Sequence, residues 1–133
     1  MILRAAVVAI LASICVLAQA PALVPTQDPG VARAPLIDKP EIRAIRVELQ
    51  PGATRSIHKH DDVRSHLFMP ITGSIELTIG SAKPIVAMPG QAYYMEKGTL
   101  HGFRNTGSTP AMAFEVFSRD PAPGDLSKLE TKK

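Results

Sequence analysis

The four histidines are the side chains of this 133-residue sequence best suited to chemistry. His58 and His60 are separated by one residue on a strand-like run after a Pro-Gly turn, so both imidazoles would leave the same face of the strand. His66 lies in a second strand-like run, and His101 opens a third. Imidazole is a common protein ligand of transition-metal ions. The spacing therefore favours one metal site at which neighbouring strands of a barrel converge.

These runs belong to a chain with the two-residue period of β-strands. In residues 41–50 the apolar Ile45, Val47 and Leu49 alternate with charged side chains, and residues 74–79 repeat the alternation. Further short runs, separated by turns rich in Pro and Gly, cover residues 84–88, 91–95, 101–105 and 111–118. No window of about 11 residues after residue 40 has a helical period. The sequence therefore predicts an all-β domain, either a sandwich or a barrel.

The N-terminus has the features of a secretory signal peptide. Arg4 precedes an apolar run at residues 5–18, which is shorter than the roughly 20 residues that span a bilayer. We predict cleavage after Ala22, a secreted or periplasmic location, and no stable membrane insertion after cleavage. The single cysteine, Cys15, would leave with residues 1–22, so the mature chain would contain no thiol. An N-terminal anchor that is never cleaved is the alternative.

Length and composition predict one soluble globular domain in the mature chain. Four of the 12 prolines of the sequence lie in residues 23–40, which we interpret as a Pro-rich arm or linker. Residues 41–118 would form the barrel, and residues 119–133 a mobile C-terminal tail. The net charge of +3 is spread along the chain and forms no basic stripe, so nucleic acid is not expected as a partner.

Two gapped motifs within the predicted barrel resemble those of the cupin family. The first cupin motif is Gly, five residues, His-x-His, three or four residues, Glu, six residues, Gly. Here it runs from Gly52 to Gly73 through His58 and His60, with His66 in the place of Glu and five residues after His60.

The second cupin motif is Gly, five residues, Pro-x-Gly, two residues, His, three residues, Asn. Here it runs from Gly90 to Asn105 through Gly98 and His101. Glu96 stands where the family usually has Pro. The two motifs agree with the family in order and spacing, and the resemblance covers residues 41–118.

The resemblance implies a jelly-roll barrel, the cupin-type double-stranded β-helix, that holds one divalent transition-metal ion. Its ligands would be the residues at the four matching positions: His58, His60, His66 and His101. The ion could be Fe, Cu, Ni, Mn or Zn, because imidazole does not select one of them. Two alternatives remain open: a barrel without metal, or a site in which Asp62 or no residue takes the fourth place and His66 points outward.

Cupins with all-histidine sites are similar to oxygen-using enzymes. The resemblance therefore implies an exported metal-dependent oxidoreductase of the dioxygenase type acting on a small molecule. Four neutral imidazoles leave the +2 charge of an ion uncompensated, which favours an anionic substrate. The alternatives are a non-catalytic periplasmic metal or small-ligand binding protein, and a metal-dependent isomerase or lyase. No carboxylate occupies an obvious inward position, which argues against an isomerase or lyase, and no catalytic residue can be assigned.

A homodimer is a further implication of the resemblance, because cupins commonly pair through sheet edges. The exposed edge of a β-sheet is a template for pairing with another chain. Leu36 and Ile37 of the Pro-rich arm could cover an edge strand of the neighbour.

Overall fold

The computed structural model describes residues 19–120, which fold into two antiparallel β-sheets. The strands are β1 (Val24–Pro25), β2 (Val31–Asp38), β3 (Ile42–Leu49), β4 (Thr54–His58), β5 (Ser65–Thr72), β6 (Ile75–Ile79), β7 (Ile85–Ala87), β8 (Tyr93–Glu96), β9 (His101–Asn105) and β10 (Ala111–Ser118). One sheet has the order β1-β2-β3-β10-β5-β8, and the other has the order β4-β9-β6-β7. Within these residues there is no helix, so the predicted all-β jelly-roll class is confirmed. Accordingly, the described part of the chain has no helix that could span a membrane.

The strands form where the sequence alternates, because successive side chains of a strand point to opposite faces of the sheet. β10 shows this best: every second residue from Ala111 to Phe117 is buried, and the residues between them are only partly buried. β10 lies at the centre of the larger sheet, paired with β3 on one side and β5 on the other. A central strand needs a buried face along its whole length, and β10 supplies one.

An apolar core fills the space between the sheets. Its members are Val31, Val47, Leu49, Ala53, Phe68, Ile75, Leu77, Ala87, Met95, Phe103, Ala111 and Ala113. Phe68 of β5 and Phe103 of β9 meet across the sheets, with ring centroids 4.7 Å apart. Each large apolar side chain stabilises the fold by about 1.5–3 kcal/mol when it is fully buried. His66 and His101 each lie two residues before one of these phenylalanines, on the same strand face, so the core positions both imidazoles inside the barrel.

Residues 23–40, predicted as an arm or linker, contain β1 and β2 and extend the larger sheet. β2 pairs with β3 along its length, and a bulge interrupts the register between Pro35 and Ile37. Proline has no N–H to donate, so it is tolerated at bulges and near sheet edges, which reconciles this composition with a strand. Residues 1–18 of the predicted signal peptide and residues 121–133 of the predicted tail lie outside the described residues.

A buried ion pair fastens the β1–β2 turn to β4. Asp28 of the turn is 7% exposed, and its carboxylate accepts hydrogen bonds from Arg55 (2.5 Å) and from the Ser56 hydroxyl (2.6 Å). Burial raises the pKa of Asp28, but the hydrogen bonds from Ser56 and Arg55 and the charge of Arg55 outweigh it, so the pKa is lowered overall. The N-terminal strands are therefore tied to β4 by electrostatics as well as by sheet pairing.

We expect Asp28→Asn to lower the free energy of unfolding at pH 7 by about 2 kcal/mol, because it leaves Arg55 without a counter-charge. The native pKa of Asp28 lies below its unfolded value, so the pair's contribution is present above the unfolded pKa and is lost as the pH falls through the native pKa. Urea unfolding at pH 7 and at about pH 3 should therefore show a gap between variant and wild type that shrinks in acid. Asp38→Asn, which removes an exposed partner of Arg119, is the control and should cost less than about 0.5 kcal/mol. A gap that does not change with pH would contradict this account of Asp28.

Candidate metal centre

The four histidines of the sequence meet inside the barrel. The ring centroids are 4.3 Å apart for His58 and His101, 5.0 Å for His58 and His60, 5.5 Å for His60 and His66, and 4.8 Å for His66 and His101. His66 and His101 are almost fully buried, whereas His58 and His60 are partly buried. The structure thus brings together all four residues that the sequence singled out.

The pairing of β4 with β9 places His58 beside His101. The two residues are cross-strand partners, and a bulge between Arg55 and His58 shifts the register just before them. Gly102 permits this close approach, because a Cβ at that position would lie 2.9 Å from the Arg55 carbonyl oxygen and 2.9 Å from Ile57 Cδ1. A larger side chain at Gly102 would push β4, and His58 with it, away from His101.

His60 reaches the cluster from a loop, since β4 ends at His58. The sequence predicted both histidines on one strand face, whereas the structure positions His60 by other contacts. The His60 carbonyl oxygen accepts a hydrogen bond from the Gly98 N–H at 2.9 Å, and the His60 ring packs edge-on against Phe117 at 4.7 Å. The turn after β8 and the Phe117 ring of β10 therefore hold the loop that carries His60.

His66 projects inward from β5, and its ring stacks on Phe117 with a centroid distance of 4.4 Å. It is 2% exposed, so the alternative in which it points outward does not hold. Asp62, the other residue considered for that place, is exposed. The loop between His60 and β5 accommodates the extra residue of the first motif.

Glu115 is the site residue that the sequence interpretation missed. It projects from β10 into the barrel, is 3% exposed, and brings Oε1 to 3.3 Å from His66 Nε2, an ion-pair distance at which the two atoms are not hydrogen-bonded. The expectation that no carboxylate faces inward is therefore wrong. The signal was present in the alternation of β10, because Ala113 and Phe117 face the core and Glu115 lies between them with the same parity.

Four of these residues could hold one metal ion. His58, His60, His101 and Glu115 each offer one ligand atom, and these atoms all lie within 4.8 Å of one another. We call these four residues the donor set. His66 is outside the donor set but contacts it through Glu115.

Backbone carbonyls fix the orientation of two imidazoles. His58 Nδ1 is 2.7 Å from the Ser56 carbonyl oxygen, and His101 Nδ1 is 2.9 Å from the Thr99 carbonyl oxygen. A carbonyl oxygen only accepts, so each Nδ1 carries the proton and each Nε2 presents a lone pair. Metal-binding histidines are held in this way, with the second ring nitrogen bonded to a carbonyl or carboxylate.

Three of the four ligand atoms lack other partners among the described residues. Within residues 19–120, the buried Nε2 atoms of His60 and His101 and the buried Oε1 of Glu115 have no hydrogen-bond partner. Buried polar atoms without a partner cost free energy, and a cation placed among them would satisfy all of them at once. The arrangement therefore fits a metal ion.

The ionisation states also suit metal binding. Burial lowers the pKa of His60 to about 4 and that of His101 to about 4, and it lowers the pKa of His58 as well. For Glu115 burial raises the pKa, but the adjacent His66 and the other imidazoles outweigh it and lower the pKa overall. Neutral imidazoles and an ionised carboxylate are the forms that bind a divalent ion. With Glu115 in the donor set, an ion of charge +2 would keep a charge of about +1, less than the sequence suggested for four imidazoles.

Comparisons with known proteins agree with the fold and the motifs. The family model described as a cupin domain matches residues 45–117. The structure of KdgF from Halomonas sp. superposes with a TM-score of 0.64 at 22% sequence identity, covering 77% of this chain and 90% of that one. A predicted oxalate decarboxylase from Thermotoga maritima gives a TM-score of 0.63 at 21% identity, covering 74% of this chain and 91% of that one. Oxalate oxidase in complex with the substrate analogue glycolate gives 0.62 at 21% identity, covering 71% and 53%. None of the curated proteins matches this chain.

We expect divalent transition-metal ions to stabilise the protein against heat. Ligand at about 100 times its Kd adds about 2.7 kcal/mol, which corresponds to a rise of about 10 °C or more in Tm for a domain of this size. The rise should be seen when Zn²⁺, Ni²⁺ or Mn²⁺ is added to chelator-treated protein, and His101→Ala should abolish it. Asp62→Asn, which removes a nearby exposed carboxylate, should leave it unchanged. Equal Tm values with and without every ion tested would contradict the fit of the donor set.

Proposed function

The chain belongs to the cupin domain family, and from this premise we propose that it is a metal-dependent oxidoreductase acting on a small anionic molecule. The observation that carries the proposal is the donor set, in which three imidazoles and one carboxylate converge and the ligand atoms of His60, His101 and Glu115 have no hydrogen-bond partner within residues 19–120. Three nitrogen donors and one oxygen donor suit Fe, Mn, Ni, Cu or Zn. An ion that takes more than four ligands would keep a position free for substrate.

The ion, when bound, would supply Lewis acidity and, if it is redox-active, electron transfer to or from substrate and O2. The chain supplies the surroundings. The Ser56 and Thr99 carbonyls hold His58 and His101 in one tautomer, and the Phe117 ring excludes water from one side of the cluster. His66 Nε2 lies 3.3 Å from Glu115 Oε1, so the His66 ring limits the positions that the carboxylate can take.

A small anion as substrate is supported by charge and by fold neighbours. The cluster would keep a net positive charge with an ion bound, which attracts anions. Two fold neighbours are named for small carboxylates, one as oxalate oxidase with bound glycolate and one as a predicted oxalate decarboxylase. For this chain we propose the same class of substrate, a small carboxylate, and the dioxygenase type of oxidation, now with three imidazoles and one carboxylate as the metal ligands.

A metal-dependent isomerase or lyase is the second candidate, and His66 favours it. His66 is a buried imidazole inside the barrel that does not belong to the donor set, so it is placed to take or give a proton near the ion. This chemistry needs no O2. The third candidate is a protein that binds metal or a small ligand and catalyses no reaction. The absence of any turnover would support it.

Location and assembly complete the proposal. The apolar run at residues 5–18 supports export to the periplasm or the medium. Leu36 and Ile37 of β2 are 38% and 44% exposed, and an exposed apolar pair on a strand near a sheet edge supports a homodimer.

We expect the protein to sediment as a dimer at micromolar concentration, because the exposed apolar pair on β2 gains from burial. Replacing Leu36 and Ile37 together by Ser should shift it towards monomer in analytical ultracentrifugation. Replacing the exposed Tyr94 of β8 by Ser, as a matched loss of apolar surface elsewhere, should not. A wild-type protein that is monomeric at this concentration would refute the dimer.

Elemental analysis of protein purified without a metal-binding tag should find about one equivalent of transition metal. The protein should consume O2 with a small carboxylate such as glycolate or oxalate. Glu115→Gln and His101→Ala should each lose the metal, because both residues are in the donor set. His66→Ala should keep it with an affinity lowered by about 10–100-fold, as for residues that orient a ligand.

The reverse pattern would restore the four-histidine site of the sequence analysis: metal lost in His66→Ala and kept in Glu115→Gln. Metal binding without O2 consumption, but with turnover of a carboxylate under nitrogen, would favour the isomerase or lyase. No metal in the wild type, even after reconstitution, would refute the proposed function.

A further inference from the structure

A cavity of about 270 Å³ lies on the inner face of the larger sheet, at its N-terminal strands. Four apolar residues and two arginines line it: Val24, Pro25, Arg33, Pro35, Arg43 and Ile45. The register explains the shared face, since Val24 pairs with Arg33 and Pro35 pairs with Ile45. Arg33 in turn pairs with Val47, a residue of the core, so this face is continuous with the barrel interior.

The cavity borders the donor set across a single strand pair. Ile45 is the cross-strand partner of Glu115, and Arg43 is the partner of Phe117. Directly opposed residues of an antiparallel pair have Cβ atoms about 5 Å apart on the same face. The Arg43 guanidinium carbon lies 4.6 Å from the Phe117 ring centroid, and the same ring stacks on His66. Arg43 therefore stands beside the ionisable cluster on the side of β3, and Arg33 lies one strand further out, on β2.

Neither arginine has a carboxylate partner within residues 19–120. Four other arginines of the same region do, and each is paired at 3.2 Å or less: Arg46, Arg55, Arg104 and Arg119. The buried Nε of Arg43 also has no hydrogen-bond partner among the described residues. A partly buried guanidinium without a carboxylate partner is stabilised by an anion that accepts its hydrogen bonds.

We propose that this cavity binds the carboxylate of a small amphipathic molecule, with Arg33 and Arg43 as the carboxylate-recognising residues. A guanidinium presents a planar fork that matches the two oxygens of a carboxylate, and the apolar walls at Val24, Pro35 and Ile45 take a short hydrocarbon chain. The inference deepens the proposed function, because it names the substrate class as a carboxylate with an apolar body. It rests on the proposed function only for the presence of the nearby ion. It also places that substrate on the β3 side of the donor set.

The test compares hexanoate with its neutral amide, hexanamide. Isothermal titration calorimetry is run with each probe on the full protein, both loaded with metal and after treatment with chelator. Hexanoate should bind at least about tenfold more tightly than hexanamide, because hydrogen bonds between a guanidinium and a carboxylate are stronger than those to a neutral amide. The preference for hexanoate should be present with and without metal, since Arg33 and Arg43 are not ligands of the ion.

Variants assign the binding to the two arginines. Arg33→Gln and Arg43→Gln should each weaken hexanoate binding by about tenfold and leave hexanamide binding within about twofold. Arg43→Lys should retain part of the affinity, because it keeps the charge but loses the fork. Arg104→Gln, which removes an exposed arginine on β9, is the matched control and should change neither affinity. If Arg43→Gln does not fold, as judged by its melting curve, Arg33→Gln decides alone.

Equal affinities for hexanoate and hexanamide would overturn the inference, as would hexanoate binding that survives in both glutamine variants. Hexanoate binding that requires metal and ignores the arginines would also overturn it, while leaving the proposed metal function in place. Conversely, binding that depends on the arginines in a protein that takes up no metal would support the carboxylate site and refute the metal function.

Discussion

The barrel encloses more polar groups than it can satisfy by itself, and this constraint governs the arrangement of the site. Four imidazoles and one carboxylate lie within a few ångströms of one another on inward strand faces, a region that in most barrels is filled with apolar side chains. The carbonyls of Ser56 and Thr99 satisfy one nitrogen each on His58 and His101. The Nε2 atoms of His60 and His101 and the Oε1 of Glu115 have no hydrogen-bond partner among residues 19–120, so a metal ion placed among them would satisfy all three.

The support for this arrangement extends well beyond the ligands. Ser56 uses its carbonyl to orient His58 and its hydroxyl to bond Asp28, which also pairs with Arg55. The N-terminal strands are thus coupled through one residue to the end of β4 that carries His58. Through this coupling the β1–β2 turn helps to position His58, a role that the composition of a Pro-rich segment does not reveal. It also explains why a buried charge is retained at Asp28, far from the ionisable cluster in sequence.

The sequence predicted which histidines converge, but not the carboxylate that completes the donor set. The convergence of His58, His60, His66 and His101 was predicted from two gapped motifs, and the alternation of residues 41–50 and 111–118 located β3 and β10. Glu115 is not predicted by the first motif, which places its carboxylate at the position of His66, although the alternation of β10 requires Glu115 to face inward. The strand character of β2 was hidden because prolines suppress the usual alternation, and pairing with β3 is a tertiary property that no local pattern records.

His66 and Glu115 together show how one site can be assembled from a different set of strands. The cupin motif supplies its carboxylate from the position that His66 occupies on β5, whereas here the inward carboxylate comes from β10, the neighbouring strand. The two strands are paired, with His66 opposite Phe117 and Glu115 two residues before that phenylalanine, so a carboxylate can change strand and still reach the same space. The exchange places an imidazole next to the carboxylate, and Phe117 packs between that imidazole and Arg43. A change in the charge of Glu115 or His66 would therefore change the electrostatic potential at Arg43. Only one aromatic ring separates the guanidinium from the ionisable cluster, and the low local dielectric preserves their interaction.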